Sequence, residues 1–193
     1  MKRFVNIELS DRELLAIGKI IAQWGILEHE IFFQILKSFD DEDSSNSDLP
    51  KEMNNAKFSL LLPLWEERVI NKQDKARKTV LKKQHEKILY YCDFRNALAH
   101  GMWEWSKSEP EKITAIRIKV KEIKSTHLTL EDLEYLADEI REIYYNVMYP
   151  GGTEDEVNAL AKIGFYVSRR FICELSKNPK TKDIFPSILN NPT

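Results

Sequence analysis

Glycine and cysteine are scarce in this chain of 193 residues, with six of the first and two of the second. So few glycines leave no GxGxxG and no P-loop, and nucleotide chemistry built on glycine-rich phosphate loops is not expected. Cys92 and Cys173 form no Cys/His metal spacing and no disulfide framework, which fits a reducing compartment. No apolar run approaches the roughly 20 residues that span a bilayer. The first residues, MKRFVNIELS, lack the apolar core of a signal peptide. A cytoplasmic location with no membrane partner is the expectation. Neither sign of charge prevails: 29 Lys+Arg stand against 31 Asp+Glu, a net charge of −2. That excludes a uniformly basic nucleic-acid sleeve, but not a local patch.

What is present is helical periodicity. At 42% hydrophobic and 31% charged residues the chain is globular and long enough for one domain. Ser10 with Glu13 reads as a capping box opening a first helix over 11–37. Ile17, Ile21, Trp24, Glu28, Ile31 and Ile35 recur along it at helical spacing. Phe39–Glu52 carries six acidic residues and one Lys, and reads as a solvated loop. A second helical region covers 53–70, where Pro63 should break or kink it. Asp74 caps a third helix running to Ala99, with Gly101 as a left-handed C-terminal cap.

The pattern then changes. MWEWSK and Ile113–Val120 are rich in aromatic and β-branched residues, and SEPE supplies a turn, so a two-stranded hairpin is expected. Trp103 and Trp105 share one strand face and should cover the bundle. Thr129 caps a fourth helix to Met148. After Pro150-Gly151-Gly152, Thr153 and Glu156 suggest a second capping box opening a fifth helix to Lys177. The expected fold is all-α: an antiparallel bundle of about five helices with one inserted β-hairpin. It forms a single domain over 1–178 with a C-terminal tail over 179–193.

The third helix carries the chemistry. Its stripe reads Leu81, His85, Ile88, Cys92, Arg95, Ala99. An arginine on a packed face must be paired, and Glu28 interrupts the apolar stripe of the first helix, so an intrachain Glu28–Arg95 ion pair is expected. Asn96 and His100 lie four residues apart on one helical face. Arg95 and His100 are about 140° apart on a regular helix. They converge only if the helix unwinds before Gly101 or if a symmetry mate shares the site. His100 has a plain structural alternative, because a histidine in a last helical turn is favoured by the dipole.

The segment Arg95-Asn-Ala-Leu-Ala-His100-Gly101, together with Trp24-Gly-Ile-Leu-Glu28 on the first helix, resembles the HEPN superfamily over residues 11–175. The resemblance implies a compact helical fold and a homodimer formed through the motif helices. It also implies metal-independent endoribonuclease activity, with no cofactor and no metal, often in toxin–antitoxin or antiphage systems. An antitoxin protein would then be a further partner. Arg95, Asn96 and His100 match the catalytic motif, and Glu28 a supporting acidic position.

Those residue types suit the reaction. Histidine titrates near neutral pH and serves as general acid or base. Arginine offers a permanently charged planar fork to a phosphorane. Attack by a 2′-hydroxyl restricts cleavage to RNA. Between Arg68 and Lys87 eight basic residues outnumber two acidic ones. Lys72, Lys75, Lys78, Lys82 and Lys83 are the candidate RNA contacts there, against the alternative of a solvated helix face. Two other readings stay open: a non-catalytic HEPN-like interaction module, and a nucleotide-binding regulatory domain.

Overall fold

The computed structural model describes residues 8–40, 50–119, 122–164 and 168. Its order is α1 (Asp11–Asp40), α2 (Phe58–Arg68), α3 (Lys75–His100), β1 (Met102–Ser106), β2 (Glu109–Lys119), β3 (Glu122–Leu128), α4 (Leu130–Met148) and α5 (Thr153–Lys162). Short 3-10 turns at Lys51–Met53 and Ile70–Lys72 flank α2. The architecture is mainly helical, with a small antiparallel sheet between α3 and α4.

Local chemistry sets most boundaries. The Ser10 backbone N–H donates to Glu13 at 2.7 Å and the Glu13 N–H donates to Ser10 Oγ at 3.3 Å, which completes the first capping box. Asp74 caps α3 by accepting from the N–H groups of Ala76 and Arg77. Thr129 and Asp132 form a capping box at α4.

The core lies where α1 meets α4 and α2, around the fully buried Trp24, Ile31, Trp65, Leu133 and Ile140. Gln34 ties three helices together there. It accepts from Trp65 Nε1 at 2.9 Å and donates to the Val147 carbonyl at 3.1 Å. Two buried apolar surfaces therefore meet around a hydrogen-bonded amide, as a buried polar group requires.

Six expectations need correction. First, the hairpin is a three-stranded sheet in the order β1-β2-β3. The overlooked strand, EIKSTHL, is charged and only thinly β-branched, and its inward positions show only through pairing: Thr126 faces Ala115 and Leu128 faces Ile113. Second, the turn between β1 and β2 is at Lys107-Ser108, since β2 already begins at Glu109. Trp103 packs on the core, while Trp105, near the end of an edge strand, keeps 38% of its surface exposed.

Third, Pro63 lies inside α2 without ending it. Ser59, whose carbonyl loses its partner, is exposed, as is Pro63, so the orphan is open to solvent while buried Leu61, Leu62 and Trp65 hold the helix in place. Fourth, Gly101 is extended (φ −78°, ψ 158°), not left-handed. Its role is close approach: a Cβ there would collide with the Ala97 carbonyl oxygen and stand 3.1 Å from that of Ile116.

Fifth, the second capping box does not form. Gly152 at φ 69° is the cap residue and Thr153 is already helical. Glu156 instead accepts from the Tyr145 hydroxyl at 2.9 Å, and Asp155 takes the Gly151 N–H at 2.6 Å. Sixth, the fifth helix stops at Lys162 instead of running to Lys177: Ile163 caps it and Gly164 turns the backbone at φ 81°. The domain limit at 178, the tail and most of the acidic loop lie outside the described residues.

Candidate functional site

Arg95 sits on α3 facing α1. Its Nη2 donates to Glu28 Oε1 at 2.8 Å, the ion pair expected from the sequence, and its Nη1 donates to Asn96 Oδ1 at 3.0 Å. Glu28 Oε1 also accepts from the buried Trp24 Nε1 at 2.7 Å. The guanidinium lies 5.6 Å from the centroid of the Trp24 ring, a cation–π contact. Asn96 turns its amide nitrogen to Cys92 Sγ at 3.3 Å. Burial pushes the Cys92 thiol pKa up, so Cys92 is a neutral acceptor in this chain of contacts. The resulting cluster, Trp24–Glu28–Arg95–Asn96–Cys92, clamps the middle of α1 to the end of α3. One guanidinium nitrogen, Nε, is buried without a hydrogen-bond partner among the described residues.

His100 is elsewhere. The helix stays regular through it, closed by the Gly101 N–H donating to the Ala97 carbonyl at 2.8 Å. Its ring is exposed and makes no hydrogen bond or ion pair with the described residues. Five residues of regular helix put it about 140° from Arg95. The structure thus brings Glu28, Arg95 and Asn96 together and leaves His100 apart from Arg95 within one copy.

His100 aligns instead with the lysines. On the α3 wheel Lys75, Lys78 and Lys82 span about 60°, and His100 falls on the same line about 27 Å beyond Lys82. Lys75 and Lys83 are exposed, Lys78 is half-buried, and Lys82 pairs with Glu66 at 3.5 Å. Lys83 stands about 80° from Lys75 and belongs to a different side of the helix. Lys72 precedes α3, in the 3-10 turn. Glu86 and Asp93 occupy the same line as His100, so the basic surface is interrupted before it reaches the histidine.

Three features were not singled out in the sequence. Arg77, counted with the basic stretch, binds Asp155 at 2.6 Å and Asp74 at 2.9 Å and so joins α3 to the start of α5. Its hydrogen bonds hold the carboxyl of Asp155 below the usual range. Glu139 on α4 accepts from Lys87 at 2.9 Å and from the Tyr91 hydroxyl at 3.4 Å. A shallow groove of about 360 Å³, lined by Leu89, Tyr90, Asp93, Phe94 and Thr126, lies beside the His100 line. Only the exposure of Leu89 and Tyr90 reveals it, and exposure is not written in a helical period.

Among the described residues no three His, Cys, Asp or Glu side chains gather as a metal-binding set, and no helix is long and apolar enough to cross a membrane. No family model, curated protein or solved structure matches the chain.

Proposed function

We propose that this chain is a HEPN-type, metal-independent endoribonuclease acting as a homodimer. The observation that supports this most is the division of labour at the end of α3. Arg95 is fixed by Glu28 and Asn96, while His100 presents at the helix terminus an exposed ring with no partner among the described residues. In the proposed reaction one His100 takes the proton from a 2′-hydroxyl. The 2′-oxygen attacks phosphorus and closes a 2′,3′-cyclic phosphate. The bond to the 5′-oxygen breaks, and His100 of a second copy protonates that leaving oxygen. Arg95 neutralises charge on the phosphorane oxygens. Since Arg95 and His100 diverge within one copy, the working set draws on two. The lysines of early α3 would add salt-dependent attraction for the backbone. A toxin or antiphage role, with an antitoxin as partner, belongs to the same proposal.

The test is cleavage of varied single-stranded and hairpin RNAs in the presence of EDTA. Wild type should cut, and His100→Ala should lose cleavage at least a hundredfold, in line with the typical contribution of a general acid or base, while keeping its circular dichroism. Full cleavage by His100→Ala, or none by wild type across the RNA set, overturns the proposal.

A second reading has its own observation. Arg95 keeps only 20% of its side-chain surface exposed and has both terminal nitrogens engaged. In a non-catalytic interaction module Arg95→Ala would destabilise the fold, and His100→Ala would change nothing measurable. A nucleotide-binding regulatory domain is a weaker variant of that reading.

A further inference from the structure

The small sheet has two edges, and they differ. β1 pairs with β2 through a register shift at Trp105/Ser106, an irregularity of the kind that keeps an edge from recruiting another strand. β3 pairs with β2 in unbroken register from Glu122 to Leu128 and holds neither proline nor glycine. Alternate residues of such an edge strand turn their backbone N–H and C=O groups outward. Among the described residues no other backbone group pairs with them.

The groove of about 360 Å³ lined by Leu89, Tyr90, Asp93, Phe94 and Thr126 lies against this edge. Thr126 is its one strand residue, so the groove opens at β3 and not beneath the middle of the sheet. Thr126 stands opposite the fully buried Ala115, which places it on the sheet face turned toward α3. The facing wall is a packed aromatic ledge. The rings of Tyr90 and Phe94 are 5.3 Å apart and those of Tyr90 and Tyr91 5.0 Å apart, and the Tyr91 hydroxyl donates to Glu139. Leu89 and Tyr90 nevertheless leave 53 and 64% of their surface exposed.

We propose that β3 receives an extended peptide of a partner protein as a fourth strand. One bulky apolar side chain of that peptide enters the groove opposite Thr126, and an acidic one two residues away stands opposite Lys124. Backbone pairing gives affinity and the groove selects the side chain, the usual division where a peptide adds to a sheet. Neighbouring strands lie about 4.8 Å apart and alternate residues share a face. The side chain opposite Thr126 is therefore directed toward Tyr90 and Phe94. Charge assigns the second position. Lys124 shares the face of Thr126 and stands directly across from Arg117. Like charges in that position destabilise a sheet. Asp93 offsets Arg117 at 4.0 Å, whereas Lys124 is exposed and makes no ion pair with the described residues. A carboxylate on the added strand supplies the missing partner. The proposal concerns the sheet and holds whether or not the chain cuts RNA.

Fluorescence anisotropy of the full chain with two short fluorescein-labelled peptides tests it. One carries Phe-Val-Glu and the other Glu-Val-Phe within a threonine-rich strand, which covers the antiparallel and parallel directions. One of the two should bind with a Kd of about 100 µM or tighter. Tyr90→Ser should weaken it about tenfold, with unchanged circular dichroism. Lys124→Glu should weaken it about fivefold, and a peptide with Lys in place of its Glu should recover the loss. N-methylation of one set of alternate peptide residues should abolish binding, and methylation of the other set should not. Binding that ignores Tyr90→Ser and Lys124→Glu, or that survives both methylations, overturns the proposal. So does the absence of binding by either peptide at about 1 mM. In that case self-association of the chain lost in Lys124→Glu gives the edge to a second copy, and binding of labelled single-stranded RNA lost in Tyr90→Ser gives the groove to a base.

Discussion

Glu28→Ala is the most informative single perturbation, because two hydrogen bonds end on one carboxylate oxygen. Arg95 Nη2 donates to Oε1 at 2.8 Å and Trp24 Nε1 donates to it at 2.7 Å. Trp24 is fully buried, so without Glu28 its indole N–H is stranded, at a cost of about 1–2 kcal/mol. Arg95 loses a charge-assisted bond, worth about 1.5–3 kcal/mol, but keeps Asn96 and some water, since 20% of its side chain is exposed, so the lower end applies, about 1.5 kcal/mol. The expected total is about 3 kcal/mol, a fall in the melting midpoint of about 6–12 °C for a chain of this size. Glu28→Gln keeps an acceptor oxygen for the indole and gives up only the charge, and should cost about 1 kcal/mol. Urea unfolding of Glu28→Ala, Arg95→Ala and the double variant forms a cycle, and the coupling should be about 1–2 kcal/mol. A loss below about 0.5 kcal/mol for Glu28→Ala, within the range of an ordinary surface substitution, would refute the clamp, and so would strict additivity in the cycle.

Gly101→Ala should destabilise by about 1–3 kcal/mol, because the added methyl is forced against the carbonyl of Ala97 and close to that of Ile116. Thermal melts check this, and an unchanged midpoint would show that the α3–β1 junction yields freely. Asp155 has a lowered pKa through Arg77, so the stability it confers is complete above its unfolded value and is lost as pH falls through its folded one. Asp155→Asn should cost about 1–2 kcal/mol at pH 7 and flatten the acid side of a stability-against-pH curve. A wild-type-like curve below pH 5 counts against the Arg77–Asp155 tie.

The helices were legible because their signals are local. Ser10/Glu13, Asp74 and Thr129 each fix a terminus through a side chain meeting a backbone group two or three residues away. The ion pair between Glu28 and Arg95 was legible for a related reason: each interrupts an apolar stripe, and a charge on a packed face needs a partner. What was not legible depends on partners distant in sequence. β3 is defined by pairing with β2, and nothing inside EIKSTHL distinguishes its inward residues. The box at Thr153 failed because Gly152 can adopt φ 69° and begin the helix itself, while Tyr145 on α4 competes for Glu156. A capping motif is a statement about four residues, and another helix can outbid it.

The divergence of Arg95 and His100 follows from the same distinction. Their spacing in sequence states an angle only if the last turn of α3 keeps its helical form, and that depends on what holds the turn at each end. Arg95 is tied to α1 through Glu28, and Gly101 is wedged between the carbonyl oxygens of Ala97 and Ile116, the second of which belongs to β2. Unwinding the turn to bring His100 toward Arg95 would break the Gly101–Ala97 hydrogen bond and pull Gly101 out of that fit. The last turn of α3 is therefore pinned by one contact to α1 and another to the sheet. A reaction that needs both residues at one phosphate must recruit them from two chains.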